Sequence, residues 1–170
     1  MDASQVRLIA WSAVLRQIAC LGVVAACSTS APGVVRTYDA CAPLRLDAAG
    51  ASDGELAAID RASASWSAVG IAAPSRSAPA AADDVAISFV PGAPASYGYY
   101  DGATGAIEIN QELAGDALAD TIAHELGHAF GLVHVAPGVR ASVMNPGNLT
   151  VAPTVDDAAA VAAIWGSCAR

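Results

Sequence analysis

Hydrophobic and polar residues alternate along the chain with two periods, one typical of helices and one typical of strands. The clearest helical period lies between residues 52 and 69, where Ser52 or Asp53 can cap the helix start and Gly70 is placed to end it. Glu55 in the first turn strengthens this interpretation, because its carboxylate can accept from a free backbone N–H group. The positions at helical spacing are Leu56, Ile59, Ser63, Trp66 and Val69.

Four short segments predict strands, and two further segments predict helices. The predicted strands are 44–46, 85–90, 97–100 and 106–110, and the last two flank the Gly-rich turn 101–105. Asp116 is the predicted N-cap of a helix that runs through Glu125 to about Phe130, and a last helix spans about 155–165. Residues 74–82 are rich in Ala, Ser and Pro and are predicted to form a loop.

The composition allows one domain and argues against nucleic acid as a partner. Hydrophobic residues make up 55% of the 170 residues, but aromatic residues only 5%, so the core is expected to consist largely of small aliphatic side chains. The formal net charge is -8, and no run of basic residues is present. A surface of this charge repels nucleic acid and gains nothing from anionic lipid.

The N-terminus is typical of an exported protein. Arg7 and Arg16 precede a short apolar run, 18–26, and small residues then lead into Cys27. The run is shorter than the roughly 20 residues of a transmembrane helix, which makes a membrane anchor the weaker alternative. Residues 24–27 also resemble a bacterial lipobox, in which the Cys is lipidated. The prediction is a signal peptide (1–26), a tether (27–40) and a folded domain (41–170).

Two of the four cysteines are predicted to form a disulfide. Cys20 would leave with the signal peptide, and Cys27 would carry the lipid or, in the alternative, be part of a simply cleaved and secreted protein. Cys41 and Cys168 then remain at the two ends of the folded domain. Export places them in an oxidising compartment, either periplasmic or at the cell surface, where such pairs form disulfides.

The candidate chemistry lies in the helix that contains Glu125. His124 and His128 have the spacing H-E-x-x-H, which puts both imidazoles on one helix face where they can bind one Zn²⁺. Glu125 between them can serve as a general base. Gly131 allows a sharp exit from the helix, which would bring His134 to the same metal as a third ligand. The alternative is that His124 and His128 are two ordinary helix residues without a metal. It does not explain why all three histidines of the chain fall in this pattern.

The extended motif resembles that of the metzincin zinc metallopeptidases. Those enzymes carry a Met-turn under the zinc, and residues 142–146 with Met144 are similar to it. Within the metzincins the chain is most similar to matrixin catalytic domains. The further stretches that support this are 66–69, 84–89, 105–110 and 155–166. The resemblance implies an α+β fold with a twisted mixed sheet of four to five strands, three helices, and one zinc between the active-site helix and a C-terminal subdomain.

Some positions depart from the family pattern. Val135 follows the third His, where matrixins usually have Ser, and Asn145 follows the Met, so the Tyr ligand of astacin-like enzymes is absent there. Matrixins commonly bind calcium, but Asp-rich calcium loops are not evident in this chain. Asp101, in the Gly-rich turn 101–105, is a weak candidate ligand for calcium. Residues 41–43 superficially resemble the propeptide motif that keeps matrixins inactive, but Cys41 directly precedes a strand, which favours the disulfide.

The resemblance implies a zinc-dependent endopeptidase in which Glu125 acts as general base. An extended peptide or protein substrate would add to the exposed strand formed by Tyr97, Gly98, Tyr99 and Tyr100. Residues 146–151 would form a wall of the pocket that holds the substrate residue after the cleaved bond. The domain is expected to be a monomer that meets a membrane only through its lipid anchor. Two alternatives remain open: a hydrolase of a non-protein amide such as cell-wall peptide, and a non-catalytic surface lipoprotein stabilised by zinc.

Overall fold

The computed structural model describes residues 35–72, 74–79, 83–92 and 96–168. The predicted signal peptide (1–26) and the predicted lipidation site Cys27 lie outside these residues. The described part contains four strands and three helices. In chain order they are β1 (Leu44–Asp47), α1 (Asp53–Ala68), β2 (Asp83–Val90), β3 (Gly98–Asp101), β4 (Ala106–Asn110), α2 (Gly115–Ala129) and α3 (Val155–Trp165).

The strands form one mixed sheet in the order β1-β2-β4-β3. The pairs β1–β2 and β2–β4 are parallel, whereas β3 is antiparallel to β4 and forms an edge of the sheet. The register places Gly98 opposite Ile109 and Tyr100 opposite Ile107. Three helices with a four-stranded mixed sheet confirm the predicted α+β class.

Helix α1 begins and ends where the sequence predicts. Ser52 is the N-cap, and its side chain and that of Glu55 each accept from the other residue's backbone N–H, a complete capping box. Asp53 is therefore the first helical residue rather than the cap. Gly70, at φ 97°, lies just beyond the C-cap residue. The buried side chains of α1 include Trp66, whose indole N–H donates to the backbone oxygen of Ala123 in α2 at 3.0 Å.

Helix α2 lies against both α1 and the β3–β4 side of the sheet, which places it in the centre of the fold. The prediction that Asp116 caps this helix is wrong, because the N-cap is Ala114, with no side-chain capping bond. The backbone oxygen of Ala114 already accepts from Leu118 N, so the helix starts one residue before Asp116. Asp116 lies instead in the first turn, where its negative charge interacts favourably with the positive end of the helix dipole.

Helix α3 covers Val155–Trp165, as predicted, and begins with a second capping box between Thr154 and Asp157. The predicted disulfide between Cys41 and Cys168 is confirmed, with an S–S distance of 2.01 Å. It joins the segment before β1 to the residues after α3. In the described part of the chain, none of the helices combines the length and apolarity of a bilayer span.

Candidate metal centre

Three imidazoles converge at the end of α2. His124 and His128 lie one turn apart on the helix, and His134 follows the helix end. The Nε2 atom of His134 lies 3.2 Å from Nε2 of His124 and 3.2 Å from Nε2 of His128. The candidate ligand atoms of all three residues lie within 4.8 Å of one another. The structure therefore brings together the three histidines that the motif singles out.

The chain reaches this arrangement through a sharp turn at the end of α2. Gly131 adopts φ 92°, a left-handed conformation that a β-carbon would strain. Its N–H donates to the backbone oxygen of His128 at 2.9 Å, and the N–H of Leu132 donates to that of Gly127 at 2.9 Å. These two bonds form a Schellman motif, which satisfies the last carbonyls of the helix and reverses the chain toward His134.

Two backbone carbonyls orient the imidazoles. The Nδ1 atom of His124 lies 2.6 Å from the backbone oxygen of Val143, and Nδ1 of His128 lies 2.9 Å from that of Leu132. A carbonyl oxygen can only accept, so each Nδ1 carries the proton and each Nε2 presents a lone pair to the cluster. Burial lowers the pKa of His124 to about 4 and also holds the pKa of His128 below its usual value. Both shifts favour the neutral form of the rings near pH 7.

This arrangement suits a metal ion. Lone pairs that face one another at 3.2 Å repel unless a proton or a cation lies between them, and His134 can supply only one proton. Nitrogen ligands at the Zn–N distance of about 2.0–2.1 Å in a tetrahedral site lie about 3.3–3.4 Å apart, close to the separations found here. Nδ1–H bonds to backbone carbonyls are also the usual second contact of metal-binding histidines. Imidazole ligands suit several transition metals, zinc among them.

Asp101, the weak calcium candidate, uses its carboxylate within its own turn. Its two oxygens accept from Ala103 N at 2.8 Å and from Thr104 Oγ1 at 2.7 Å. These bonds hold the pKa of Asp101 below its usual value. Among the described residues, the histidine cluster is the only group of three or more His, Cys, Asp or Glu side chains placed to hold a metal ion, and Asp101 belongs to no such group.

Glu125 lies in the same cleft as the histidines. Its side chain is buried, and the loss of solvent raises the pKa of its carboxyl to about 7, although a hydrogen bond from the backbone N–H of Tyr100 opposes this shift. Tyr100 belongs to the edge strand β3. The carboxyl group therefore shares a cleft with the candidate metal ligands and interacts with the edge strand of the sheet.

The loop that contains Met144 packs against the helix between two of the ligands. Met144 is buried, and a β-carbon on Gly127 would overlap its sulfur, so Gly127 leaves the space that Met144 fills. The loop is also bonded to the segment after His134. Val135 N donates to the Met144 carbonyl at 2.9 Å, and Asn145 Nδ2 donates to the Val135 carbonyl at 2.8 Å. Met144 thus occupies a fixed position next to the histidine cluster.

Asp157 anchors this loop to α3, a role that the sequence analysis missed. Its carboxylate is fully buried and accepts from Val143 N at 3.1 Å, from Arg140 Nη1 at 2.8 Å and from the hydroxyl of Ser142. It also accepts from Thr154 N at the helix cap. Burial alone would raise the pKa of Asp157, but these hydrogen bonds outweigh it and hold the pKa below its usual value. The capping-box pattern T-x-x-D was the only sequence signal for this residue.

A cleft of about 850 Å³ contains the histidines and Glu125. The predicted substrate strand forms one side of it, with Gly98, Tyr99 and Tyr100 in β3 and Tyr97 just before the strand. Pro146, Gly147 and Asn148, which belong to the predicted pocket wall, also line the cleft. Apart from Glu125 and the histidines, the lining residues in the described part of the chain carry no charged side chain.

The segment before β1 also contributes to the cleft. Val35 and Thr37 line it, although the sequence analysis assigned them to the tether. Backbone bonds hold this segment in place, from Arg36 N to the Gly102 carbonyl at 2.6 Å and from Tyr38 N to the Ala129 carbonyl at 2.8 Å. Residues 27–34 of the predicted tether lie outside the described residues.

Comparisons with known proteins identify no family for this chain. A scan against protein-family models finds no match, and a search of the curated proteins finds no significant relative. The fold class, the disulfide and a three-histidine cluster that could hold a metal ion, with His124 buried, therefore rest on the structure alone.

Proposed function

We propose that this protein is a zinc-dependent endopeptidase of the metzincin type, most similar to the matrixins. One observation carries the proposal: a three-histidine cluster and a buried glutamate share a cleft with β3, the edge strand of the sheet in the described part of the chain. Each part has a role in peptide hydrolysis. The cluster can hold a metal, the glutamate can transfer a proton, and the strand edge can hold an extended peptide.

Zinc is the proposed metal, with His124, His128 and His134 as its ligands. Three histidines leave one coordination position free, which is typical of catalytic rather than structural zinc sites. When bound, zinc would lower the pKa of a water molecule and polarise the carbonyl group of the substrate. The Schellman turn at Gly131 and the buried position of Met144 support the metzincin assignment, because they supply the helix exit and the Met-turn that the family pattern calls for.

Glu125 is the proposed general base. Its carboxylate would accept a proton from the attacking water and return it to the leaving amine. Burial supports this role, because a carboxyl group whose pKa is raised to about 7 can both accept and release a proton near neutral pH. Its position one residue after His124 keeps it within the same cleft as the proposed metal.

The outer edge of β3 is the proposed peptide-binding strand. Asn110 N donates to the Tyr97 carbonyl, so the backbone groups of residues 97, 99 and 101 face β4. Those of Gly98 and Tyr100 face outward. The Tyr100 N–H is directed to the Glu125 carboxylate, so an extended peptide would pair with the Gly98 groups and the Tyr100 carbonyl. The uncharged lining favours cleavage within a chain. A terminal amine or carboxylate would need an opposite charge, and among the described lining residues Glu125 is the only acid and no Arg is present.

The proposal includes export of the domain, with Cys27 as a lipid anchor. The disulfide between Cys41 and Cys168 supports this part, because such bonds persist in oxidising compartments. Mass spectrometry of the mature N-terminus tests it. We expect a diacylglyceryl-modified Cys27, whereas a chain that retains residues 1–26 would contradict export by this route.

The decisive experiment compares wild type with Glu125→Ala and His128→Ala. We expect wild type to contain one zinc per chain by elemental analysis and to cleave members of a quenched fluorescent peptide library. Glu125→Ala should keep the zinc and lose cleavage by at least about 100-fold. His128→Ala should lose both. Cleavage that survives in Glu125→Ala would refute the mechanism. Incubation of the wild-type protein with peptidoglycan in parallel tests the alternative substrate, a cell-wall amide.

A further inference from the structure

Gly98 lies where β3 comes closest to Glu125. A β-carbon at this position would lie 2.8 Å from Oε1 of Glu125, 3.0 Å from its Cγ and 2.9 Å from Cγ2 of Thr121. Carbon atoms do not approach one another or an oxygen this closely without repulsion. The backbone at Gly98 does not adopt a positive φ, so its conformation is open to any residue. The lack of a side chain is therefore the property that this position needs.

The close approach has a direct consequence two residues further along β3. The backbone N–H of Tyr100 faces away from β4 and interacts with the Glu125 carboxylate, which lowers the pKa of that carboxyl against the effect of burial. Because Gly98 has no side chain, the strand can lie close enough to α2 for this interaction. The edge of the sheet thereby holds the carboxylate that the proposed mechanism uses as its base.

From this geometry we infer that Gly98 is a positioning residue for Glu125. Its missing side chain lets β3 hold the carboxylate in one place through the Tyr100 N–H. A methyl group at residue 98 would meet the end of a flexible glutamate side chain on one side and the stiff β-branched Thr121 on the other. The glutamate yields more easily, so the substitution displaces its carboxylate from Tyr100 rather than unfolding the domain. The catalytic part of this inference rests on the proposed function, whereas the structural part does not.

The first test follows the Tyr100 amide by NMR and needs no activity. In wild type this N–H should exchange slowly with deuterium, because Tyr100 is buried and its N–H faces the Glu125 carboxylate. Glu125→Ala removes the acceptor and should speed the exchange by about 10-fold or more. Gly98→Ala should reproduce this increase and the change in the Tyr100 amide shift. A Tyr100 amide that is unchanged in Gly98→Ala would overturn the inference, even if the protein proved to have no peptidase activity.

Two other glycines provide matched controls. Gly54→Ala adds a methyl group with nothing within 4 Å and should leave the Tyr100 amide unchanged. Gly92→Ala creates a similar overlap, 2.8 Å from Cγ of Asn110, but does not touch Glu125. If Gly92→Ala changed the Tyr100 amide as much as Gly98→Ala does, the effect would be a general loosening of the sheet, and the inference would fail.

The second test separates positioning from substrate binding. Displacement of a base by about 1 Å lowers the rate of the chemical step by up to about 100-fold. In Gly98→Ala we therefore expect kcat to fall by about 10–100-fold, with KM and zinc content unchanged. A rise in KM at constant kcat would instead show that the methyl group blocks the peptide, which contradicts the inference. If the wild-type protein cleaves no peptide, the proposed function is refuted. The NMR test on the Tyr100 N–H does not depend on that result.

Discussion

Asp157 offers the strongest test of how α3 supports the histidine cluster. Its carboxylate is fully buried, and its bonds to Arg140, Ser142 and Val143 join α3 to the loop before Met144. Asp157→Ala removes the acceptor of the Ser142 hydroxyl and the Val143 N–H, which both lie in the buried interior. Each buried donor left unsatisfied costs about 1–3 kcal/mol of unfolding free energy, so the two together cost about 2–6 kcal/mol. For a domain of this size, that is a fall in Tm of about 10 °C or more.

Urea unfolding followed by tryptophan fluorescence measures this loss, and Asp60→Ala is the matched control. Asp60 also pairs with an arginine, Arg76, but its side chain is 57% exposed. Exposed pairs contribute at most about 1 kcal/mol. If the proposed function holds, zinc affinity should fall in Asp157→Ala as well, because the Val143 carbonyl that orients His124 belongs to the anchored loop. A loss in Asp157→Ala no larger than that in Asp60→Ala would refute the reasoning.

The same carboxylate predicts a pH dependence. Hydrogen bonds hold the pKa of Asp157 below its usual value in the folded protein, so its contribution to stability is present above the unfolded pKa of about 3.9. The contribution is lost as the pH falls through the lower, folded pKa. The stability difference between wild type and Asp157→Ala should therefore be constant near neutral pH and shrink below about pH 4. A difference that does not change with pH would contradict this assignment.

Two further predictions concern the disulfide and the cleft. Replacing Cys41 and Cys168 together by Ser opens a loop with a sequence separation of 127. The chain-entropy model predicts that the unfolding free energy measured in urea falls by about 5 kcal/mol. A fall of less than about 1 kcal/mol would contradict this prediction. Val133 lines the cleft and is 77% exposed, whereas Val139, 75% exposed, does not line it. If the proposed function holds, Val133→Ser should raise KM for apolar peptides by about 3–10-fold at constant kcat. Equal effects of Val133→Ser and Val139→Ser would show that Val133 does not bind the peptide.

Features that depend on residues close in the chain could be predicted from the sequence. The capping box of Ser52 and Glu55 is local, and so is the one-turn spacing of His124 and His128 on a helix face. The start of α2 shows the limit of such signals. Asp116 is a good cap by residue type, yet the backbone of Ala114 starts the helix.

Features that depend on how distant segments pack were decided by the tertiary structure. No local pattern shows that Gly98 must be small, because the atoms that require it belong to Thr121 and Glu125 on another element. The same holds for Asp157, whose sequence signal is a helix cap but whose bonds also hold a loop whose bonded residues lie 14 and 15 positions before it.

The sequence by itself therefore determined the candidate ligands, the candidate base and the disulfide partners, because residue type and spacing along one helix or at the two ends of a domain carry that information. Only the tertiary structure decided that the Nε2 atoms converge at 3.2 Å and that their rings are oriented by carbonyls of Val143 and Leu132. It also decided that the edge of β3 meets Glu125. These relations are distances between segments far apart in the chain, and packing of the whole fold sets them.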